Sequence, residues 1–180
     1  MKLLLHACCG VCAGQTIEKL KSEFDEIIVY FYNPNIWPEE EYEKRKEAME
    51  QVARYHQVKF LEGPFNHQAW LEEVKGLEKE PEGGQRCEVC YRMRLVWAAQ
   101  EARKENCDFF ATTLSISPRK KAETINRLGR EAGEKEGVKF YEADFKKQDG
   151  FKKTCELARQ LELYRQTYCG CEFSKLESGR

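Results

Sequence analysis

The segment "EIIVYFY", residues 26–32, is an almost unbroken run of apolar side chains. A strand with one face in water alternates apolar and polar residues, so a continuous apolar run predicts burial on both faces, as in a parallel sheet covered by helices. Four other segments have strand character: "KLLLHA" at 2–7, "VKFLEG" at 58–63, "DFFATT" at 108–113 and "VKFYEA" at 138–143. Helical patterns separate the strand candidates, at 13–24, 39–56, 66–75, 87–104, 119–134 and 151–164. This alternation predicts a three-layer α/β fold with a mainly parallel sheet.

The chain of 180 residues contains no internal repeat, low-complexity segment or linker. We therefore expect one domain over residues 1–180, with a C-terminal segment, 165–180, that carries the "CGC" sequence. In parallel sheets, ligands bind beyond the carboxyl ends of the strands. Cys8 and Cys9 follow the first strand, "NPNIWP" follows the second, and "LSISP" follows "DFFATT". These segments are expected to face one site.

Nine cysteines are present, and most of them fall in three clusters: "HACCGVC" at 6–12, "RCEVC" at 86–90 and "YCGC" at 168–171. The sequence shows no secretory signal and no apolar segment close to the ~20 residues of a membrane span. We therefore expect a cytoplasmic protein without a membrane partner. In that compartment, clustered thiols are more often metal ligands or redox groups than structural bridges.

Cys87 and Cys90 are expected on one face at the start of a helix, with their β-carbons about 5–6 Å apart. Together with Cys8, Cys9 and Cys12 they could form a thiolate cage for zinc or for an iron–sulfur cluster. A thiol redox pair and ordinary packing residues are the alternatives that the spacing leaves open.

Cys169 and Cys171 flank one glycine, and a disulfide so small would be strained and labile, which favours electron exchange. Further metal ligands or idle thiols are the other interpretations of this pair. Cys107 and Cys155 are expected to be packing residues, and His6 a hydrogen-bonded core histidine.

The formal net charge of −1 argues against bulk attraction to nucleic acid, including DNA, but a local basic patch is present at "SPRKK". Arg119, Lys120 and Lys121 could face phosphates, or they could form a solvated helix face. Tyr32, Asn33 and Asn35, after the second strand, could contact a substrate base or form a simple turn.

Read in order, "LLLHACCGVC", "YFYNPNIWPEEEYEKR", "RCEVCYRMRL", "FFATTLSISPRKK" and "YRQTYCGCEFS" resemble the successive signature blocks of the QueH family of epoxyqueuosine reductases. The resemblance implies a fold similar to adenine-nucleotide α-hydrolase domains, which are HUP or Rossmann-like. It implies reduction of epoxyqueuosine to queuosine at the wobble position of transfer RNAs with GUN anticodons, which accept aspartate, asparagine, histidine and tyrosine. The epoxide oxygen would leave as water after a two-electron reduction.

The same resemblance assigns roles to cysteines. Cys8, Cys9, Cys87 and Cys90 would bind a [4Fe-4S] cluster, Cys169 and Cys171 would form a redox-active disulfide, and Cys12 would hold an additional mononuclear iron. The electron donor is not identified. Two rival functions remain: a zinc-stabilised RNA-binding module, and an ATP-dependent tRNA sulfurtransferase, which the absence of a phosphate-binding loop after the first strand disfavours.

Overall fold

The structure is a computed structural model that describes residues 1–147 and 149–179. The strands are β1 (Lys2–His6), β2 (Glu26–Phe31), β3 (Lys59–Glu62), β4 (Phe109–Thr112) and β5 (Lys139–Phe140). The α-helices are α1 (Gly10–Leu20), α2 (Glu39–His56), α3 (His67–Glu73), α4 (Gln85–Lys104), α5 (Ala122–Glu136), α6 (Gly150–Gln160) and α7 (Glu172–Glu177). A short 3₁₀ helix, Thr113–Ile116, follows β4.

The five strands form one parallel sheet in the order β3-β2-β1-β4-β5. Successive side chains of β1 point to opposite faces, as the geometry of a strand requires. Leu3 and Leu5 pack with residues of α1, α2 and α6, whereas Leu4 packs with residues of α4 and α5. Both faces of the sheet are therefore covered, and the predicted three-layer parallel α/β fold is confirmed.

Several boundaries differ from the sequence prediction. Helix α2 has the predicted limits, but α1 begins at Gly10 rather than at residue 13. It begins early because Cys9 is its N-cap, with Sγ accepting a hydrogen bond from the Cys12 N–H at 3.4 Å. Helix α7 was not predicted. It lies in the C-terminal segment 165–180, whose last residue, Arg180, is outside the described part of the chain.

Among residues 1–147 and 149–179, none of the helices combines the length and the apolar character needed to cross a membrane.

The first turn of α1 lies unusually close to α2. A Cβ atom placed on Gly10 would be 2.4 Å from the backbone oxygen of Ala48, far closer than real Cβ contacts. Gly10 therefore lets the two helices approach, and this approach fixes the position of Cys9 and Cys12 on either side of it.

We predict that Gly10→Ala lowers the free energy of unfolding by about 1–3 kcal/mol, the usual cost of overpacking. The backbone of α2 cannot move aside as a flexible side chain could. Urea unfolding followed by circular dichroism measures the change. Glu18→Ala, at an exposed position of the same helix, is the control and should stay within about 0.5 kcal/mol of the parent. Equal stability of Gly10→Ala and the parent would contradict the close approach.

Candidate metal centre and thiol pocket

The ends of β1 and β4 lie side by side at the point where the direction of the strand order reverses. The chain leaves β1 for α1 on one face of the sheet, and after β4 it continues to α5 on the other face, which opens a crevice at this edge. Here the Cys8 N–H donates a hydrogen bond to Thr113 Oγ1 at 3.4 Å. The first cysteine cluster therefore lies where α/β sheets bind their ligands.

His6, the last residue of β1, supports this edge from within. It is fully buried, with Nδ1 2.8 Å from Thr112 Oγ1 and Nε2 3.1 Å from the Tyr32 backbone oxygen. A carbonyl only accepts hydrogen bonds, so Nε2 carries the proton and Nδ1 accepts from the threonine hydroxyl. Desolvation by burial lowers the pKa of His6 to about 3, which keeps the ring neutral. The prediction of a hydrogen-bonded core histidine is confirmed.

Cys8, Cys9 and Cys12 form a compact group of thiols. Their sulfur atoms all lie within 4.8 Å of one another, and Cys8 Sγ is 4.0 Å from Cys9 Sγ. Hydrogen bonds with the thiols of Cys12 and Cys9 lower the pKa of Cys8, whereas hydrogen bonds with the thiols of Cys8 and Cys9 raise the pKa of Cys12. Cys8 is therefore the sulfur of this group that most readily becomes a thiolate, the form that binds metal.

Cys87 and Cys90 lie in the first two turns of α4, as predicted from their spacing. Cys87 Sγ accepts a hydrogen bond from the Gly83 N–H at 3.2 Å. Cys90 packs with Cys171 and Trp70 in a small buried cluster, and desolvation by burial raises the pKa of its thiol to about 11. In the described part of the chain, these two thiols do not join Cys8, Cys9 and Cys12 at the spacing of a single ion's ligands.

Two cationic side chains, Arg94 and Lys120, lie near the thiols. Burial opposes the charge of Arg94, but the neighbouring sulfur atoms of Cys90, Cys8 and Cys169 raise its pKa. Burial also opposes the charge of Lys120, and Cys169, Cys8 and Cys12 raise its pKa. Since both cations face cysteines from more than one segment, the three clusters converge on one region that favours negative charge.

A pocket of about 240 Å³ opens onto this region and is called the thiol pocket below. Its wall includes Cys8, Cys12, Thr113, Lys120, Gln166 and Cys169. The Gln166 Nε2–H donates a hydrogen bond of 2.9 Å to Cys9 Sγ, so a residue of the C-terminal segment touches the first cysteine cluster.

Arg45 anchors the "CGC" segment. Its guanidinium is buried, with Nη1 and Nη2 donating to the backbone oxygens of Cys169 and Tyr168 at 2.9 and 3.1 Å. Its Nε donates to Glu41 Oε1 at 2.7 Å, which balances the charge. This arrangement holds Cys169 at the thiol pocket.

The disulfide predicted between Cys169 and Cys171 is not supported by the structure, in which all nine cysteines are free. The two thiols have different surroundings. Cys169 lines the thiol pocket, whereas Cys171 is the N-cap of α7, where its Sγ accepts from the Ser174 N–H at 3.4 Å. Cys171 is also buried in the cluster of Trp70 and Val74.

The residues predicted to contact a substrate base lie inside the protein. Tyr32 is buried and its ring stacks on that of Trp97, with centroids 4.9 Å apart. Asn33 is buried, with Nδ2 donating to the Ala7 oxygen at 3.0 Å and Oδ1 accepting from Arg94 Nη2 at 2.6 Å. Asn35 is buried as well, and its Oδ1 has no hydrogen-bond partner among the described residues. These three side chains build the wall behind the site rather than an open stacking surface.

The predicted phosphate-contacting residues do reach the site. Arg119 and Lys120 line the thiol pocket, and Lys121 lies beside them in an adjoining exposed depression. Cys107 packs in the buried cluster under α4 and α5, as predicted.

Arg94 and Gln166 were not identified from the sequence. Arg94 could have been found, because it lies four residues after Cys90 on the same helix and therefore on the same helix face. Gln166 carries no such signal, because only the tertiary path of the C-terminal segment brings it to Cys9.

The donor set fits a thiophilic metal centre. The site offers several sulfur ligands at helix N-termini, and thiolates select zinc or iron–sulfur clusters. A cluster needs ligands spread more widely than those of one ion, which suits thiols contributed by α1 and α4.

The fold and the site together define a HUP-like α/β protein with a cysteine-rich centre at the switch point of its sheet. The chain is similar over 99% of its length to the U34-tRNA thiolase NcsA from Methanococcus maripaludis, solved with its [4Fe-4S] cluster. The TM-score is 0.61, with 14% identity and 63% of that chain covered. At this identity the likeness shows the fold alone, and it confirms the expected fold class.

A family model described as "Epoxyqueuosine reductase QueH" matches residues 3–177. A protein of that name from Thermotoga maritima is 40% identical over 97% of this chain and 91% of its own length. Another, from Streptococcus pyogenes serotype M1, is 39% identical over 98% of this chain and 71% of its own length. The chain belongs to the epoxyqueuosine reductase QueH family.

We predict that Arg45→Met lowers the free energy of unfolding by about 3–5 kcal/mol, because it leaves the buried Glu41 carboxylate without its partner. The double variant Arg45→Met/Glu41→Gln should recover part of this loss, since it removes the unpaired charge. Urea unfolding measures both. Cys171 should also react faster with iodoacetamide in Arg45→Met, because the backbone of the "CGC" segment loses two hydrogen bonds. An Arg45→Met variant as stable as the parent would contradict the anchoring role.

Proposed function

We propose that this protein is an epoxyqueuosine reductase that converts epoxyqueuosine to queuosine at the wobble position of transfer RNAs with GUN anticodons. The observation that carries the proposal is the convergence of three cysteine segments on one region at the switch point, where Cys8, Cys12 and Cys169 line a pocket and Cys90 lies near Arg94, in a chain of the QueH family. The site thus offers both metal ligands and free thiols next to a cavity open to solvent.

A [4Fe-4S] cluster would be held by Cys8, Cys9, Cys87 and Cys90, and an additional iron by Cys12. When bound, such a centre supplies single-electron transfer and a Lewis acid for the epoxide oxygen. The sulfur atoms of Cys8, Cys9 and Cys12 lie within 4.8 Å of one another, so an iron held by Cys12 would lie beside the cluster.

The protein's own thiols supply the electron balance. Loss of the epoxide oxygen as water, leaving an alkene, consumes two electrons and two protons. Oxidation of the Cys169 and Cys171 thiols to a transient disulfide releases two electrons and two protons. Cys169 lies in the thiol pocket, where it can deliver them, and an external reductant whose identity is open restores the dithiol.

Other residues bind and orient the RNA. Lys120 and Arg119 present positive charge at the pocket, and Lys121 extends that charge outward. The buried side chains of Tyr32, Asn33 and Asn35 lie behind the site and fix the protein wall against which the modified base is placed. A cytoplasmic location fits an enzyme whose substrate is transfer RNA.

The function is tested with protein purified without oxygen. We expect a brown protein that contains iron and acid-labile sulfide, and that turns epoxyqueuosine in transfer RNA into queuosine, detected by mass spectrometry of the nucleosides. Colourless, zinc-containing protein that binds RNA without reducing it would favour the zinc-stabilised module. Product formation that requires ATP would favour a sulfurtransferase-like enzyme.

Cys169→Ser and Cys171→Ser should each slow turnover by at least about tenfold, because one thiol cannot store two electrons. The iron content and visible absorbance of both variants should equal those of the parent. Cys155→Ser is the matched control, since Cys155 is outside the thiol pocket, and it should keep full activity. Loss of the cluster in Cys169→Ser or Cys171→Ser would instead assign these residues to the metal centre.

Affinity for transfer RNA should fall as salt rises, because each phosphate contact displaces counterions. Arg119→Gln and Lys121→Gln should each weaken binding and reduce the slope of log affinity against log salt by about 1. Lys135→Gln, an exposed residue at the far end of α5, should leave the slope unchanged. Binding that does not respond to salt would remove the phosphate-contacting role of the patch.

A further inference from the structure

Phe151 stands at the thiol pocket with much of its ring in water. It is the second residue of α6, its side chain is 45% exposed, and it lines the same pocket as Cys8, Cys12 and Cys169. The other exposed large apolar side chains of the described residues, such as Tyr55 and Leu176, lie outside this pocket.

The packing of α6 does not require this phenyl ring. The helix is buried through Thr154 and Ala158, and Leu157 fits against the bare Cα of Gly14 in α1. Among residues 1–147 and 149–179, the hydrophobic clusters do not include Phe151. An aromatic ring that the core does not use is thus held at the entrance to the site.

Lysines lie next to Phe151 in the chain. Lys152 and Lys153 follow it and are exposed, and Lys147 lies just before α6 and borders a neighbouring depression together with Lys153. None of these three has an acidic partner among the described residues, whereas the nearby Lys146 pairs with Asp144 at 3.0 Å. The N-terminus of α6 adds positive character, which its N-cap residue Asp149 partly offsets. The start of α6 therefore offers an aromatic face at the thiol pocket together with three lysines that form no ion pair among the described residues.

That combination matches a single-stranded segment of RNA. Loop nucleotides can be splayed out and stacked on aromatic side chains, while lysines contact the backbone. A neutral aromatic metabolite would use the ring but not the lysines, and a phosphate alone would use the lysines but not the ring.

We propose that Phe151 stacks on the loop nucleotide next to the one that enters the thiol pocket, with Lys152 and Lys153 contacting the phosphates of the same loop. This inference rests on the proposed function, because it takes an anticodon loop as the ligand. It adds an aromatic residue to the pocket that Arg119 and Lys120 also line.

The test uses full-length protein purified without oxygen and a fluorescein-labelled RNA stem-loop with a GUN anticodon and unmodified guanosine at the wobble position. Fluorescence anisotropy gives the affinity. Phe151→Ala should weaken binding about tenfold, which corresponds to about 1.4 kcal/mol. Phe151→Trp should bind like the parent, and Phe151→Leu like the alanine variant, because leucine is apolar but has no flat face. Tyr55→Ala, an exposed aromatic on α2, is the matched control and should not change the affinity.

A second RNA separates stacking from indirect effects. In a stem-loop that lacks the bases on both sides of the wobble nucleotide, the parent and Phe151→Ala should bind equally, because the stacking partner is gone. Lys152→Gln and Lys153→Gln should each reduce the salt slope by about 1, and Lys135→Gln should not.

The outcomes separate the two proposals. Binding of the RNA with parental affinity by Phe151→Ala overturns the stacking role and leaves the proposed function intact. Parental affinity of Phe151→Leu also overturns it, because a simple apolar contact would then suffice. Failure of the parent protein to bind the intact stem-loop, or binding without any reductase activity on epoxyqueuosine, counts against the proposed function itself.

Discussion

The adjacency of β1 and β4 decides where chemistry can occur in this protein. The two strands pair in parallel from Leu3 opposite Phe109 to His6 opposite Thr112, and the His6 ring bonds the Thr112 hydroxyl at their ends. After β1 the chain continues to α1 on one face of the sheet, and after β4 it continues to α5 on the other face. The residues that directly follow the two strands therefore face a common crevice. Cys8 and Thr113 meet there. Every other group of the site is placed relative to this pair.

Three buried arginines bring distant segments to that crevice. Arg45 holds the backbone of Tyr168 and Cys169, and Arg94 bonds Asn33. Arg86 bonds Glu177 at the end of α7 and the backbone oxygens of Glu78 and Glu80. Burying a guanidinium is costly unless it forms hydrogen bonds, so each arginine holds the groups that supply its acceptors, although Nε of Arg86 and of Arg94 has no partner among the described residues. These hydrogen bonds help to position the cysteine segments, together with the apolar clusters that contain Cys9, Cys87, Cys90 and Cys171.

The sequence carried enough information to predict the layers and the edge of the sheet that bears the site. Apolar runs and their alternation with helical patterns depend on local periodicity, and α2 accordingly has its predicted limits. The resemblance supplied the family, which the comparisons confirm. Short elements were less predictable. Helix α7 has six residues, too few for a clear period, and a cysteine as N-cap is not among the residues that usually announce a helix start.

The exposure of single side chains depends on tertiary packing that the sequence does not show. Tyr32 and Asn33 follow a strand end, where exposed binding residues are expected, but Trp97 and Arg94 of α4 cover them. Phe151 presents the opposite case: it stays exposed because Thr154, Leu157 and Ala158 of α6 already fill the contact with the neighbouring elements. Which of two apolar positions a helix buries depends on the partner helix, and local sequence does not specify the partner.

The unequal exposure of the two C-terminal thiols orders their roles in the proposed reaction. Thiol–disulfide exchange needs access of the attacking group to sulfur. Cys169 faces the pocket, whereas Cys171 lies under Trp70, and burial raises the pKa of its thiol. Exchange with an external reductant must therefore begin at Cys169. Gly170 between them has a φ of 142°, and a Cβ there would lie 3.1 Å from both Arg45 Nη1 and Asn35 Nδ2. The backbone between the two thiols can therefore pass close to Arg45 and Asn35 only because residue 170 has no side chain, and Arg45 holds this same segment in place.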